Sequence, residues 1–263
     1  MYPDLFRFGP LVIKSYAVLV TLGFLAGLAW MIRSGRRNGL DPGLISDLAF
    51  WAAIGGILGA RAVYIALDPT AGVLDFPKFW EGGLSFHGAL LGGGLAFWLF
   101  ARRAGLSFLR LADLAAPGVA LGQAIGRVGC FLNGCCYGLP THLPWGARFA
   151  DLATGKPTPP VHPVQLYEMA GDLVIFGLLS MASAGRRTRR RGFIFFLYLA
   201  LYGLLRGWME IYRAPSGPTI VGALGPITPG QLVSAGMIAA AAVWFIVSRG
   251  EPARGGLRPG DEA

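Results

Sequence analysis

A chain of 263 residues that is 54% hydrophobic and only 14% charged, with mean hydropathy +0.54, is too apolar for a soluble enzyme. Apolar runs near the length of a bilayer crossing recur along it, so it reads as a polytopic, all-α membrane protein of one integral domain covering residues 1–263. The net charge of +9 raises nucleic acid as a partner, but the distribution of that charge points to membrane topology instead.

Residues 1–10 carry no basic n-region, so the first apolar run is expected to be a retained span and not a cleaved signal. The hydropathy pattern predicts seven spans, at about 16–32, 45–67, 84–101, 111–131, 163–184, 192–212 and 229–248. Glycines within them, such as Gly55, Gly59 and Gly92, suit close helix approach in lipid. The loops after spans one, three and five and the tail after span seven hold 14 of the 23 Lys and Arg residues; the opposite side holds six. The positive-inside rule then places the N-terminus outside and the C-terminus in the cytoplasm. The run Arg186–Arg191 reads as a cytoplasmic turn, and the polar tail from about residue 250 is expected to be disordered.

The remaining arginines, Arg61, Arg127 and Arg206, fall inside spans. A cation at membrane depth costs at least about 2.5 kcal/mol on insertion scales and needs a partner or ligand. With the topology above, Tyr16, Arg61, His87, Arg127, the group His162, Gln165, Tyr167 and Glu168, and the pair Arg206 and Glu210 all converge on the outer leaflet. Helical spacing puts Tyr202, Arg206, Glu210 and Arg213 on one face, and His162, Gln165, Glu168 and Asp172 on another. More cations than acids at one depth favour an anionic ligand, and the planar guanidinium suits phosphate oxygens. The competing roles are structural: Arg206–Glu210 as an internal ion pair, Arg127 snorkelling to headgroups, Tyr16 and Tyr202 as interface anchors, and His87 as a structural histidine instead of a general base.

The stretch Gly126-Arg127-Val128-Gly129-Cys130-Phe131-Leu132-Asn133-Gly134-Cys135-Cys136-Tyr137-Gly138 is the densest in unusual residues. Its three cysteines are all that the chain has, and they make no disulfide framework. Inert packing, a disulfide with one thiol left over, and a thiolate role in catalysis or metal binding all remain open. No zinc spacing with histidines, phosphate-cradling glycine loop or clear internal repeat is present; no metal and no cofactor is expected.

Six blocks in order resemble the prolipoprotein diacylglyceryl transferase family over nearly the whole chain. They are Ser15-Tyr16; Gly59-Ala60-Arg61; Gly82-Gly83-Leu84-Ser85-Phe86-His87-Gly88; Gly126-Arg127-Val128-Gly129 with Phe131, Asn133 and Gly134; His162-Pro163 with Gln165, Leu166, Tyr167 and Glu168; and Tyr202-Gly203 with Arg206, Glu210 and Arg213. The resemblance implies an enzyme that moves the diacylglyceryl group of phosphatidylglycerol to the lipobox cysteine thiol of a prolipoprotein. A thioether forms and glycerol phosphate leaves. It implies a multi-pass protein of the bacterial inner membrane whose site faces the outer leaflet; a monomer is expected, with lipid, prolipoprotein and bilayer as partners and no nucleic acid. Carried over, His87, Arg127 and Arg206 would be catalytic, Arg127 and Arg206 on the phosphate and His87 as base. Tyr16, Arg61, Asn133, Gly134, Gln165, Tyr167, Glu168, Tyr202 and Glu210 would bind substrate. Two positions depart from the family's usual signature: Cys130 stands for an asparagine and Cys135 for a glutamate. The loop 139–161 is also short. A second reading therefore gives the lipid group to another acceptor, with Cys130, Cys135 or Cys136 taking part. A third makes the protein a non-catalytic anionic-lipid binder or transporter, which commonly shows repeat symmetry.

Overall fold

The computed structural model describes residues 4–8, 11–68, 72–78, 83–150, 155–184, 190–213, 220–222 and 225–248. Glu81 and Gly82, most of the run 186–191 and the tail from 249 lie outside them. Seven α-helices are present among the described residues: α1 Ser15–Arg37, α2 Pro42–Leu67, α3 Phe86–Arg103, α4 Phe108–Asn133, α5 Val164–Ala184, α6 Phe193–Met209 and α7 Pro229–Val247. They match the seven expected spans. Helices α1, α2, α4, α5 and α7 are long and apolar enough to cross a membrane, and α6 is apolar over 17 residues. Leu90, Leu91 and Leu95 on α3, and Val174 and Met181 on α5, are large apolar side chains left exposed. That is how a helix faces lipid and not water. The protein is an all-α, multi-pass membrane protein.

Two short hairpins were not anticipated. Strand β1, Asp4–Phe8, pairs antiparallel with β2, Leu11–Lys14. Strand β3, Ile220–Gly222, pairs with β4, Gly225–Ile227. Each is too short to show a readable alternation of apolar and polar residues.

Helix ends follow local chemistry. Pro42 opens α2 behind Asp41, whose carboxylate accepts the Leu44 N–H at 3.0 Å. Pro229 opens α7 behind Thr228, which forms a reciprocal capping box with Gln231. The end of α6 differs from expectation. Helical hydrogen bonding gives way after Met209, and Ile211 and Tyr212 donate instead to Trp208 and Met209, three residues back. Arg213 then leaves the helix and pairs by a β-bridge with Gly138, so it does not continue the stripe of Tyr202, Arg206 and Glu210.

The described residues divide into two compact units: one lies within 1–30 and 113–248, the other within 31–112. In the first, α1 and α4 cross at glycines. A Cβ added to Gly23 would lie 2.7 Å from the Gly122 carbonyl oxygen, and one added to Gly27 equally close to that of Gly118. Such contact between backbones is open only to the smallest residues. Ala116, Ala120, Ile175, Leu179, Ile194 and Tyr198 form the buried core that α4, α5 and α6 share. At the N-terminal end of α4, Asp113 accepts the backbone N–H groups of Gly192 at 2.6 Å and Phe195 at 2.8 Å. It thereby caps α6, whose own cap residue Gly192 has no side chain to do so. In the second unit, α2 and α3 approach through Gly55 and Gly92, where an added Cβ on Gly55 would sit 2.7 Å from the Gly92 carbonyl oxygen.

Candidate active site

The C-terminal end of α4 is where the first unit gathers its charge. Gly134, at φ 74°, stops the helix. Its N–H bonds the Phe131 carbonyl, and the Cys135 N–H bonds the Cys130 carbonyl, each at 3.2 Å. This is a Schellman close, and its left-handed position suits a residue without a Cβ. The chain that follows is sewn down on both sides. Gly138 donates to the His162 carbonyl, and Leu139 to that of Tyr212. Gln165, fully buried, donates its side-chain N–H to the Cys135 carbonyl at 2.6 Å. The end of α4, the start of α5 and the segment after α6 are thus held together by backbone hydrogen bonds.

Glu168 sits at the centre of this junction, one turn into α5 and 2% exposed. One of its oxygens lies 3.0 Å from Arg127 Nη1 and the other 3.3 Å from Arg213 Nη1. A single carboxylate shared by two guanidiniums leaves that triad with a net positive charge. Both arginine side chains remain partly open, at 19% and 14%. Arg206 pairs with Glu210 one turn further along, and Glu210 also accepts the Thr228 hydroxyl at 2.7 Å. Asp172, one turn beyond Glu168, is fully buried, and neither carboxyl oxygen has a hydrogen-bond partner among the described residues.

Aromatic rings border the junction. Tyr202 stacks on Tyr198 with centroids 5.6 Å apart, and the Tyr198 hydroxyl donates to Gln123. Tyr167 accepts from the Trp145 indole at 2.8 Å and lies 3.4 Å from His162 Nδ1. Tyr16, in the first turn of α1, passes Gly129 so closely that an added Cβ there would meet it at 3.4 Å. Asn133 is the last residue of α4, before the turn.

The first unit therefore holds Tyr16, Arg127, Asn133, Gly134, Gln165, Tyr167, Glu168, Tyr202, Arg206 and Glu210. Its contacts tie Arg127 to Glu168, Arg206 to Glu210, and Gln165 to the backbone that follows Asn133 and Gly134. The direct pairing of Arg213 with Glu168 was not foreseen. Reading residues 202–213 as one continuous helix hides it, because the turn after Met209 is what redirects Arg213.

His87 and Arg61 belong to the second unit. His87 is exposed in the first turn of α3, which Ser85 caps by accepting the Gly88 N–H. Arg61 is 3% exposed, and its guanidinium donates to the backbone carbonyls of Asp75 at 2.6 Å and Gly83 at 3.2 Å. It also lies over the Tyr64 ring at 5.5 Å. In the same loop the Lys78 ammonium, 2.7 Å from Asp75 Oδ1, and then the Gly72 N–H hold the Asp75 carboxyl below the usual carboxylate range.

Comparison with known proteins gives this arrangement a context. The sequence pattern of the prolipoprotein diacylglyceryl transferases matches residues 3–247. The chain belongs to the prolipoprotein diacylglyceryl transferase family. It is 40% identical over 239 residues to the phosphatidylglycerol–prolipoprotein diacylglyceryl transferase of Geobacter sulfurreducens, covering 88% of this chain and 89% of that one. It is 38% identical over 246 residues to the enzyme of the same name from Trichormus variabilis, covering 88% and 84%. The Frankia alni relative of that name is 37% identical over 239 residues, but this chain spans only 63% of its length. The family expected from the six sequence blocks is thus borne out. Nothing in these relatives favours a different acceptor or a transporter.

Proposed function

We propose that the protein transfers the diacylglyceryl group of phosphatidylglycerol to the lipobox cysteine of a prolipoprotein, as its relatives are named for doing. The observation that carries this is the sharing of Glu168 between Arg127 and Arg213, which leaves positive charge beside a second arginine-bearing pair. The bond that breaks joins the glyceryl carbon to a phosphate oxygen, and the bond that forms joins that carbon to the cysteine sulfur. Negative charge therefore collects on the departing phosphate. Arginines fixed before the reaction stabilise that charge with little reorganisation, most strongly where water is scarce. Arg127 and Arg206 are assigned to the phosphate. Glu168 and Glu210 orient them, and Arg213 shares Glu168 so that Arg127 keeps its unneutralised share of charge.

The thiol must lose its proton to attack. His87 is assigned as the base on its place in the sequence pattern. Tyr16, Tyr167 and Tyr202 supply apolar walls with polar tips, Gln165 holds the backbone beside Asn133 and Gly134, and Arg61 anchors the loop ahead of His87. We place the protein in the inner membrane with its N-terminus outside, its C-terminus in the cytoplasm and the arginines toward the outer leaflet. There they meet an anionic lipid and a secreted acceptor.

The test is a transfer assay in vesicles with phosphatidylglycerol labelled in its diacylglyceryl group. A lipobox peptide is run beside the same peptide carrying serine for cysteine. Label on the cysteine peptide alone is the expected result. Folded protein that binds the lipid but labels neither peptide would overturn the assignment.

A further inference from the structure

The thiols of Cys130, Cys135 and Cys136 have no part in the proposed transfer, yet they are brought together. All three sulfurs lie within 4.8 Å of one another. Four residues separate the first from the second, and an uninterrupted helix would carry the later two past Cys130 and onward along the axis. Two left-handed residues prevent this. Gly134 turns the chain back, and Cys136, at φ 63°, is the only non-glycine residue with a positive φ among the described residues. Such a conformation costs a side-chain-bearing residue about 1–2 kcal/mol and persists where the surroundings enforce it. Here they do so through the Schellman close, the Gln165 bond to the Cys135 carbonyl and the Gly138 bond to His162.

We propose that Cys130, Cys135 and Cys136 form a tris-thiolate site for one soft, closed-shell metal cation, with zinc(II) as the reference ion. The spacing fits. Zinc–sulfur bonds of about 2.3 Å in tetrahedral geometry place ligand sulfurs roughly 3.8 Å apart, which these sulfurs reach by closing in by under about 1 Å. A disulfide would need about 2.05 Å between two of them and would strand the third. Three thiolates and a divalent ion carry one net negative charge, and the triad of Arg127, Glu168 and Arg213 carries one net positive charge. Cys130 follows Arg127 by three residues on α4, so the two share a helix face. All three cysteines are half-buried, so an ion can reach them. Three protein ligands leave a fourth position for water, as in zinc sites that exchange ligands.

The site is read from metal content and thiol chemistry, independently of any transfer activity. Full-length protein in detergent, free of any affinity tag, is incubated with excess zinc(II), desalted and analysed for metal. The expected result is about one zinc per chain, the ratio of a single site, and protection of all three thiols from a thiol reagent until a chelator is added. Cobalt(II) in place of zinc gives a thiolate-to-metal absorption band. Replacing all three cysteines by serine abolishes the band and the retained zinc. Cys136→Ser alone weakens both, and serves if the triple variant does not fold. Retained zinc in a folded triple variant would overturn the proposal. So would wild-type protein that binds no zinc, whether its three thiols all react or two of them are joined as a disulfide.

Discussion

Arg61 and Arg127 are both arginines inside membrane helices, and they are used in opposite ways. Arg61 gives its guanidinium to two backbone carbonyls, those of Asp75 and Gly83. Its charge closes a loop, and its burial at 3% leaves little of it for a ligand. Arg127 meets a carboxylate instead, but a carboxylate already shared with Arg213. Depth in the membrane is thus a poor guide to the role of a cation. What distinguishes the two is exposure: Arg61 is buried against backbone carbonyls, whereas Arg127 stays partly open beside a shared carboxylate.

That contrast can be broken at its strongest point first. Among the described residues Arg206 pairs with Glu210, which is also engaged by Thr228. Arg206→Ala is expected to abolish measurable transfer while the protein still inserts and keeps its helical content. Near-wild-type turnover in that variant would remove Arg206 from the phosphate. Glu168→Gln probes the shared carboxylate itself. An amide keeps the shape but not the charge, so two guanidiniums would face each other unscreened and drift from their positions. Misplaced electrostatic groups cost catalysis on the order of 10²-fold, so a fall of that size in kcat, with the protein still folded, is expected. An unchanged kcat would mean that the acid serves packing alone.

The seven helices were legible in the sequence because lipid demands long apolar runs, and hydropathy reports those directly. Arg127, Glu168, Arg206 and Glu210 were legible because charge is expensive in such runs and stands out. Arg213 was legible only as part of a pattern. Its link to Glu168 depends on where α6 stops, and that is set by hydrogen bonds to residues three back, which apolar spacing does not encode. The capping of α6 by Asp113 joins positions about 80 residues apart and has no local signature. The cysteine cluster was legible as a cluster in the chain but not in space, since its geometry rests on left-handed backbone at Gly134 and Cys136. The two hairpins were illegible for lack of length.

On the other side of the comparison, Arg61→Gln should act mainly on stability. It removes two charge-assisted hydrogen bonds to part-buried carbonyls, each worth about 1.5–3 kcal/mol, so thermal unfolding in detergent should begin several degrees lower. Turnover per folded molecule should fall less than in Glu168→Gln. A variant as stable as wild type but unable to bind phosphatidylglycerol would put Arg61 on the ligand and erase the contrast with Arg127.

The smallest effect is expected at the far end of α4, where Asp113 offers a control for the whole argument. Its two oxygens are taken by the Gly192 and Phe195 N–H groups, so its charge is spent on a helix terminus as that of Arg61 is spent on a loop. Asp113→Asn keeps one acceptor and loses the charge that favours a helix N-terminus. Losses at such caps run to about 0.5–2 kcal/mol. Turnover per folded molecule should be unchanged, because Asp113 lies about four helical turns of α4 away from Arg127. If this variant lost transfer as steeply as Glu168→Gln while unfolding at the same temperature as wild type, the position of Arg127 would depend on how α6 is anchored. The two ends of α4 would then have to be treated as one device.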